Sequence, residues 1–142
     1  MIVLDTNVLS VLMRAKRPKE VMAWLDNQPG ESLWTTSITI FEARFGIEQI
    51  DDAEHRQDLQ TAFDTAVTDV IEGRILNFDA PAAYQTAWLF ADRKRRGRSV
   101  DLRDTQIAGI VRTRKATLAT RNIRDFADAG IPLVDPWTAL PA

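Results

Sequence analysis

The first ten residues, Met1 to Ser10, read MIVLDTNVLS. An apolar run is followed at once by Asp5, Thr6 and Asn7, and then by apolar residues at helical spacing. The apolar run is typical of a buried strand. Asp, Thr and Asn side chains all bond the free N–H groups of a first helical turn. The stretch therefore predicts a buried strand that leads directly into a helix.

The rest of the chain alternates between strand and helix patterns. Further strands are predicted at residues 33–36, 75–78, 117–120 and 132–134. Helices are predicted at residues 6–15, 19–27, 37–50, 52–71, 82–96 and 104–115. Strands separated by helices indicate an α/β fold, with a mainly parallel β-sheet and helices on both faces. The whole chain, residues 1–142, has the size of one ordinary domain.

The composition narrows the class of protein. Hydrophobic residues make up 45% of the chain, enough for a substantial core, and cysteine is absent. The sequence therefore offers no disulfide framework, no thiolate metal site and no cysteine nucleophile. No apolar run approaches the roughly 18 residues of a membrane span, and no signal-peptide pattern is visible. We therefore expect a cytoplasmic protein without a membrane anchor.

Charge is distributed unevenly along the chain. The net charge is −2, but residues 48–72 contain eight acids and one arginine. Residues 93–115 contain nine lysines and arginines, half of all those in the chain, against two aspartates. Either run is compatible with a solvated helix face. The basic run also suits contact with a polyanion.

Polar residues recur where predicted strands end. Asp5 ends the first strand and Thr120 ends another, while Glu42 and Asp104 lie near the starts of helices that are otherwise apolar. In open parallel sheets, ligands bind outside the carboxyl ends of the strands. A single carboxylate near a helix N-terminus often only complements the helix dipole. Three carboxylates able to converge on one crevice indicate a functional site.

Five motifs occur in order along the chain. They are MIVLDTN at 1–7, SITIFEARFGI at 37–47, RDTQIAGIVR at 103–112, ATRNIRDF at 119–126 and VDPW at 134–137. Together they resemble the bacterial PIN-domain toxins of VapC type, close to the FitB-like branch. The resemblance covers essentially the whole chain, and the order and spacing of the motifs make it specific.

The resemblance implies a fold, an activity and partners. The fold is a three-layer sandwich in which helices cover both faces of the sheet. The activity is metal-dependent cleavage of RNA by an endoribonuclease, blocked by a cognate VapB-like antitoxin of a type II toxin–antitoxin system. A homodimer is also implied, with operator DNA bound only through the toxin–antitoxin complex.

The resemblance also assigns site residues. It places metal-ligating carboxylates at Asp5, Glu42 and Asp104, and it places Asn122 at a fourth catalytic position, where many relatives have an aspartate. Carboxylates without histidine or cysteine nearby select hard divalent cations, Mg²⁺ or Mn²⁺. Such a metal lowers the pKa of a bound water and offsets charge that develops on a phosphate.

Asn122 removes one negative charge from the usual set, which leaves the number of metal ions open at one or two. Asp125, about one turn on, and Asp101 are candidates to compensate. Thr6 and Thr120 are candidates to orient a carboxylate or a metal-bound water. Each threonine is equally suited to capping its own helix.

The basic run suits contacts with RNA phosphates. Contacts of this kind position a nucleic acid without reading its bases. Cations at a helix end also complement the helix dipole, which is an alternative role for the same residues. We expect RNA contacts from five arginines: Arg95, Arg96, Arg98, Arg121 and Arg124.

Other functions remain open from the residues alone. A phosphatase with Asp5 as nucleophile also begins with a strand-end aspartate, but Asn7 stands where such an enzyme has its second aspartate. A receiver domain is disfavoured because no acid is paired with Asp5. A non-catalytic PIN module that binds nucleic acid or an antitoxin is favoured by the lost charge at Asn122. Metal titration separates these possibilities.

Overall fold

Five parallel strands form the centre of the fold. The computed structural model describes residues 1–139. Its strands are β1 (Ile2–Leu4), β2 (Leu33–Thr36), β3 (Ile75–Leu76), β4 (Thr117–Ala119) and β5 (Leu133–Val134). They lie in the order β3-β2-β1-β4-β5, and every neighbouring pair is parallel. β1 is therefore central, and the chain builds outward from it first on one side and later on the other.

Helices form the connections between the strands. They are α1 (Thr6–Val11), α2 (Lys19–Asp26), α3 (Ser37–Glu48), α4 (Ala53–Thr65), α5 (Ala80–Arg95), α6 (Leu102–Arg114) and α7 (Ile123–Phe126). A 3₁₀ turn covers Gly30–Ser32, and a π-helical segment, Ala66–Ile71, continues α4. In the described part of the chain, no helix is both long and apolar enough to cross a membrane.

The sheet is covered on both faces. Along β1, Val3 packs into one hydrophobic cluster and Leu4 into another, because successive strand side chains point to opposite faces. The cluster around Val3 draws on α5, α6 and α7 and includes Leu89, Ile107 and Phe126. The cluster around Leu4 draws on α1, α2 and α4 and includes Val8, Trp24 and Phe63. The predicted three-layer α/β sandwich is confirmed.

Capping side chains account for several differences from the predicted helix boundaries. Asp79 and Asp101 accept hydrogen bonds from nearby backbone N–H groups, so α5 and α6 begin two residues before their predicted starts. Thr36 caps α3, which begins at Ser37 as predicted. α1 ends at Val11, well before its predicted end. The sequence pattern does not predict α7, whose four residues are too few to show helical periodicity.

α5 and α6 approach each other closely at Gly109. A Cβ atom at this position would overlap the Thr86 hydroxyl and would lie 2.9 Å from the carbonyl oxygen of Ala82. Both of those atoms belong to α5, so the absence of a side chain at Gly109 lets the two helices come into contact. The contact bears on the strand-end acids because Asp104 lies in the first turn of α6.

Candidate active site

Asp5 lies in a crevice between the carboxyl ends of β1 and β4. Its backbone N–H donates to the carbonyl of Ala119 at 3.0 Å, which extends the pairing of the two strands. Its Oδ1 accepts a hydrogen bond from the Thr6 N–H at 2.8 Å and caps α1, while its Oδ2 accepts one from the Thr120 hydroxyl at 2.7 Å. The carboxylate is buried. Each of its oxygens therefore has a fixed direction.

Side chains also tie the two strand ends together. The Thr120 hydroxyl accepts a hydrogen bond from the backbone N–H of Asn122 at 3.0 Å. Asn7 contributes a second link, because its Oδ1 accepts from the backbone N–H of Arg121 at 3.2 Å. The segment that follows β4 is thus held against the segment that follows β1. The crevice lies between β1 and β4, where the order in which the chain adds strands to the sheet reverses. Ligands of open α/β sheets bind at such a switch point.

Glu42 and Asp104 complete an acidic group around Asp5. Glu42 lies on α3 and Asp104 on α6, and both are partly buried. Within residues 1–139, the Glu42 Oε1 and the Thr6 hydroxyl are buried without a hydrogen-bond partner. Buried polar atoms are normally paired, so an unpaired carboxylate oxygen indicates a missing ligand or water.

The three acids influence one another electrostatically. Burial, and then the charge of Asp5, raises the pKa of Glu42 from 4.5 to about 7. The same two causes raise the pKa of Asp104 from 3.8 to about 6. Burial raises the pKa of Asp5 itself, against the opposing effect of its hydrogen bond from Thr120. Like charges held close together in this way are stabilised by a cation.

These shifts predict how the stability of the metal-free protein depends on pH. A carboxyl with a higher pKa in the folded protein than in the unfolded chain binds its proton more tightly when folded, so protonation stabilises the fold. For Glu42 this stabilisation is absent well above pH 7 and grows as the pH falls toward 4.5. We expect the Tm in EDTA to rise as the pH is lowered from about 7.5 to about 5.5. Glu42→Gln should reduce that rise. If the Tm of this variant depends on pH as steeply as that of the wild type, the raised pKa of Glu42 is contradicted.

The fourth predicted position, Asn122, lies at the start of α7. Its side chain is exposed and makes no capping hydrogen bond. Asp125 lies one turn further on and is partly buried, and its charge raises the pKa of Asp5 and of Asp104. Of the two candidates to compensate for Asn122, Asp125 is therefore the one whose charge acts on both Asp5 and Asp104.

Asp101 has a different partner. It caps α6 and forms an ion pair with Arg103 at 3.4 Å. Burial alone would raise the pKa of Asp101, but the hydrogen bonds and charge of Arg103 outweigh burial and lower it. Asp101 is therefore stabilised as an anion by a side chain of its own helix.

The donor atoms in the crevice suit a hard divalent cation. Carboxylate, amide and hydroxyl oxygens are the ligands that Mg²⁺ and Mn²⁺ prefer. The unpaired Glu42 Oε1 gives such an ion an open position. Among the described residues, however, no three Asp, Glu, His or Cys side chains are arranged to hold one ion as they stand. The three acids lie at one edge of the sheet, but their side chains do not converge on one point.

The predicted RNA-contacting arginines have different surroundings. Arg95 and Arg124 are exposed and form no ion pair within residues 1–139. Arg121 is exposed and lies over the Trp137 ring, 4.8 Å from its centroid. Arg96 and Arg98 both form ion pairs with Asp128, at 2.9 and 3.2 Å.

Arg93, which the charge count includes in the basic run, is completely buried. It is therefore unavailable to a polyanion. Its burial had a signal in the sequence, because Arg93 continues the spacing of the buried residues Ala82, Thr86 and Leu89 along α5. The charge count misses that signal because it treats every charged residue as part of the surface.

Comparison with known proteins identifies the family. A family model described as PIN domain matches residues 2–132. The chain belongs to the PIN domain family. This PIN domain is 36% identical over 137 residues to the "VapC ribonuclease Y4jK" of Sinorhizobium fredii, in an alignment that covers 96% of this chain and 98% of that protein.

Solved structures agree with this assignment. The PIN domain matches the crystal structure of FitAcB from Neisseria gonorrhoeae with a TM-score of 0.87 and 31% identity, over 98% of this chain and 100% of that chain. It matches a DNA-bound VapBC from Salmonella typhimurium with a TM-score of 0.77 and 26% identity, over 95% and 97% of the two chains. The predicted resemblance to VapC-type proteins is confirmed, and membership of the family argues against a phosphatase with Asp5 as nucleophile.

Proposed function

We propose that this PIN domain is an endoribonuclease toxin of VapC type that depends on a divalent metal ion. The observation that carries the proposal is the gathering of Asp5, Glu42 and Asp104 at the carboxyl edge of the sheet, where the charge of Asp5 raises the pKa of the other two. The relative named a VapC ribonuclease supports the choice of RNA as substrate.

The three carboxylates are the proposed ligands of Mg²⁺ or Mn²⁺, with Asn122 as a weaker fourth member of the catalytic set. A bound ion of this kind activates water and offsets charge on the phosphate. Thr6 and Thr120 act on Asp5, because the backbone of one and the hydroxyl of the other hold its two oxygens in place. A ligand with a fixed orientation loses less conformational entropy on binding than a mobile one.

A direct test uses the purified chain, single-stranded RNA and sequencing of the RNA ends. Cleavage at defined positions is expected with Mg²⁺ or Mn²⁺ and none with EDTA. Cleavage that persists in EDTA would contradict the dependence on metal. A folded, antitoxin-free protein that binds RNA but does not cut it with either ion would support a different function.

That second function is a non-catalytic PIN module that binds nucleic acid or an antitoxin. The observation in its favour is Asn122, which is exposed and supplies no negative charge to the crevice. Asp125 answers this objection in part, because its charge acts on Asp5 and Asp104. An Asn122→Asp variant separates the two functions. If the wild-type chain is a non-catalytic module, the variant should gain RNA cleavage that the wild type lacks. If the wild-type chain is already a nuclease, both proteins should cleave RNA.

Exposed arginines at the end of α5 and after β4 are the proposed RNA contacts. Arg96 and Arg98 already bond to Asp128, so Arg95, Arg121 and Arg124 are the better candidates for phosphate contact. Replacing these three by Gln should weaken RNA binding and lower the log–log salt slope by roughly 0.7 for each lost contact with a single strand. Filter binding at several salt concentrations, in an Asp104→Asn background, measures the slope.

Arg14→Gln is the matched control for this experiment. Arg14 is exposed and lies beyond the end of α1, so its loss should leave the slope unchanged. The position of cleavage should also stay the same in the triple variant made in the active background, because phosphate contacts carry no sequence information. If the triple variant shows the wild-type salt slope, these arginines do not contact RNA phosphates and are ordinary solvated surface charges.

The proposed partners follow from the same assignment. A VapB-like antitoxin binds and inhibits the enzyme, the chain forms a homodimer, and operator DNA is bound only through the toxin–antitoxin complex. The DNA-bound VapBC relative supports the last point. An RNA substrate and a protein inhibitor both support a cytoplasmic location for the enzyme.

A further inference from the structure

The buried guanidinium of Arg93 forms a two-point ion pair near the C-terminal end of α5. Its Nη2 lies 2.8 Å from Asp128 Oδ1 and its Nε lies 3.1 Å from Asp128 Oδ2. The Arg93 side chain is fully buried and that of Asp128 is only 10% exposed. Two parallel bonds of this kind fix the plane of the guanidinium as well as its distance.

The same guanidinium bonds to two other segments. Its Nη1 donates to the Thr105 hydroxyl at 2.9 Å, and its Nη2 also donates to the backbone carbonyl of Asp125 at 3.0 Å. Thr105 directly follows the acid Asp104 on α6, and Asp125 lies one turn after Asn122 on α7. One side chain of α5 therefore links α6, which carries Asp104, to α7, which carries Asp125.

We propose that Arg93 is a positioning residue for the ribonuclease site, with Asp128 as its anchor. This inference rests on the function proposed above. Lysine cannot replace the planar fork, because an ammonium group has no fixed set of donors aimed at three partners. Buried ion pairs contribute little net stability compared with apolar residues of similar volume. We therefore infer that the buried charge of Arg93 serves to place α6 and α7 correctly, and not to stabilise the fold.

Asp128 keeps other ion-pair partners when Arg93 is changed. Arg96 and Arg98 also pair with Asp128, so its carboxylate is not left unpaired in the variant. Arg93→Lys retains a positive charge in the same place while losing the fork. The variant should therefore fold, which makes it a suitable probe of position.

The expected result is a loss of catalysis and of metal affinity without a loss of RNA binding. For Arg93→Lys, kcat should fall by about 10–100-fold, as when a residue that orients metal ligands is lost, while the KM for RNA stays unchanged. Calorimetry without RNA should show Mn²⁺ affinity reduced by a factor within the same range of about 10–100. The calorimetric measurement does not depend on activity.

Arg74→Lys is the matched control. Arg74 is also a largely buried arginine that bonds to several backbone carbonyls, those of Gly30, Leu33 and Val70. It precedes β3 and contacts the start of β2, at the opposite edge of the sheet from the acids. Its replacement should lower the Tm but leave kcat and Mn²⁺ affinity at wild-type values.

A third variant tests the hydroxyl of Thr105, which accepts a hydrogen bond from Arg93 at 2.9 Å and donates one to the backbone carbonyl of Asp101 at 3.2 Å. Thr105→Val removes the hydroxyl that Arg93 contacts and leaves the pair with Asp128 in place. It should also lower kcat at constant KM. If Arg93→Lys and Thr105→Val lower only the Tm, as Arg74→Lys does, the inference is overturned. A wild-type protein that neither binds Mn²⁺ nor cleaves RNA would instead overturn the proposed function, and this inference with it.

Discussion

Replacing Glu42 by Gln is expected to reduce RNA cleavage by a factor of about 10²–10³ or more, because a metal ion that loses a carboxylate ligand is bound less well, and the ion is what offsets charge on the phosphate in the transition state. Asp104→Asn should do the same. Both variants should be at least as stable as the wild type in EDTA, because each removes a negative charge that the crevice holds at an energetic cost.

Asp5→Asn should abolish cleavage too, but without the gain in stability. Both oxygens of Asp5 accept hydrogen bonds, from the Thr6 N–H and from the Thr120 hydroxyl. An amide has only one accepting oxygen, so one of these donors would face an NH₂ group. The relief of repulsion is then offset by a lost hydrogen bond.

Cleavage rates and thermal unfolding in EDTA, measured on the same preparations, check these expectations. Asp58→Asn is the control, because it removes one carboxylate from the exposed surface of α4. It should leave both quantities unchanged. Wild-type activity in any of the three crevice variants would remove that residue from the proposed set of metal ligands.

Gly109→Ala is expected to cost about 2–3 kcal/mol of unfolding free energy, in the upper part of the range for overpacked sites. The new methyl group would overlap the Thr86 hydroxyl and crowd the backbone carbonyl of Ala82. The backbone cannot give way unless α5 moves away from α6. Because α5 carries Arg93 and α6 carries Asp104, RNA cleavage should fall as well.

Urea unfolding of the variant measures this cost, and Gly46→Ala provides the comparison. Gly46 lies within α3, and a Cβ atom there meets nothing within 4 Å, so alanine should stabilise the helix by about 0.5–1 kcal/mol. Adding Thr86→Ala to Gly109→Ala should restore part of the loss, since it removes one of the two obstacles. Wild-type stability of Gly109→Ala would mean that α5 and α6 separate at little cost.

The sequence predicts the sheet and the position of Asp5 well, because a short apolar run that ends in a polar residue is typical of a buried strand in a chain that alternates strand and helix. Glu42 and Asp104 stand out in the sequence as single carboxylates near the starts of apolar helices, and the family resemblance assigns them as metal ligands. The sequence does not determine their distances from Asp5, because these depend on how α3 and α6 pack. Arg93 and Asp128 were missed as a pair: they are 35 positions apart, and only the placement of α7 brings them together.

The central place of β1 in the sheet decides when the nuclease can appear during translation. Asp5 receives its hydrogen bond from Thr120, which is 115 residues later in the chain. At about 5–20 residues per second, roughly 6–23 s of synthesis separates the two. Until β4 has left the ribosome, Asp5 lies in an unfinished crevice that lacks Thr120 and the whole of α7. The growing chain therefore cannot complete the crevice, and cannot act as a nuclease there, until the segment that follows β4 has been made.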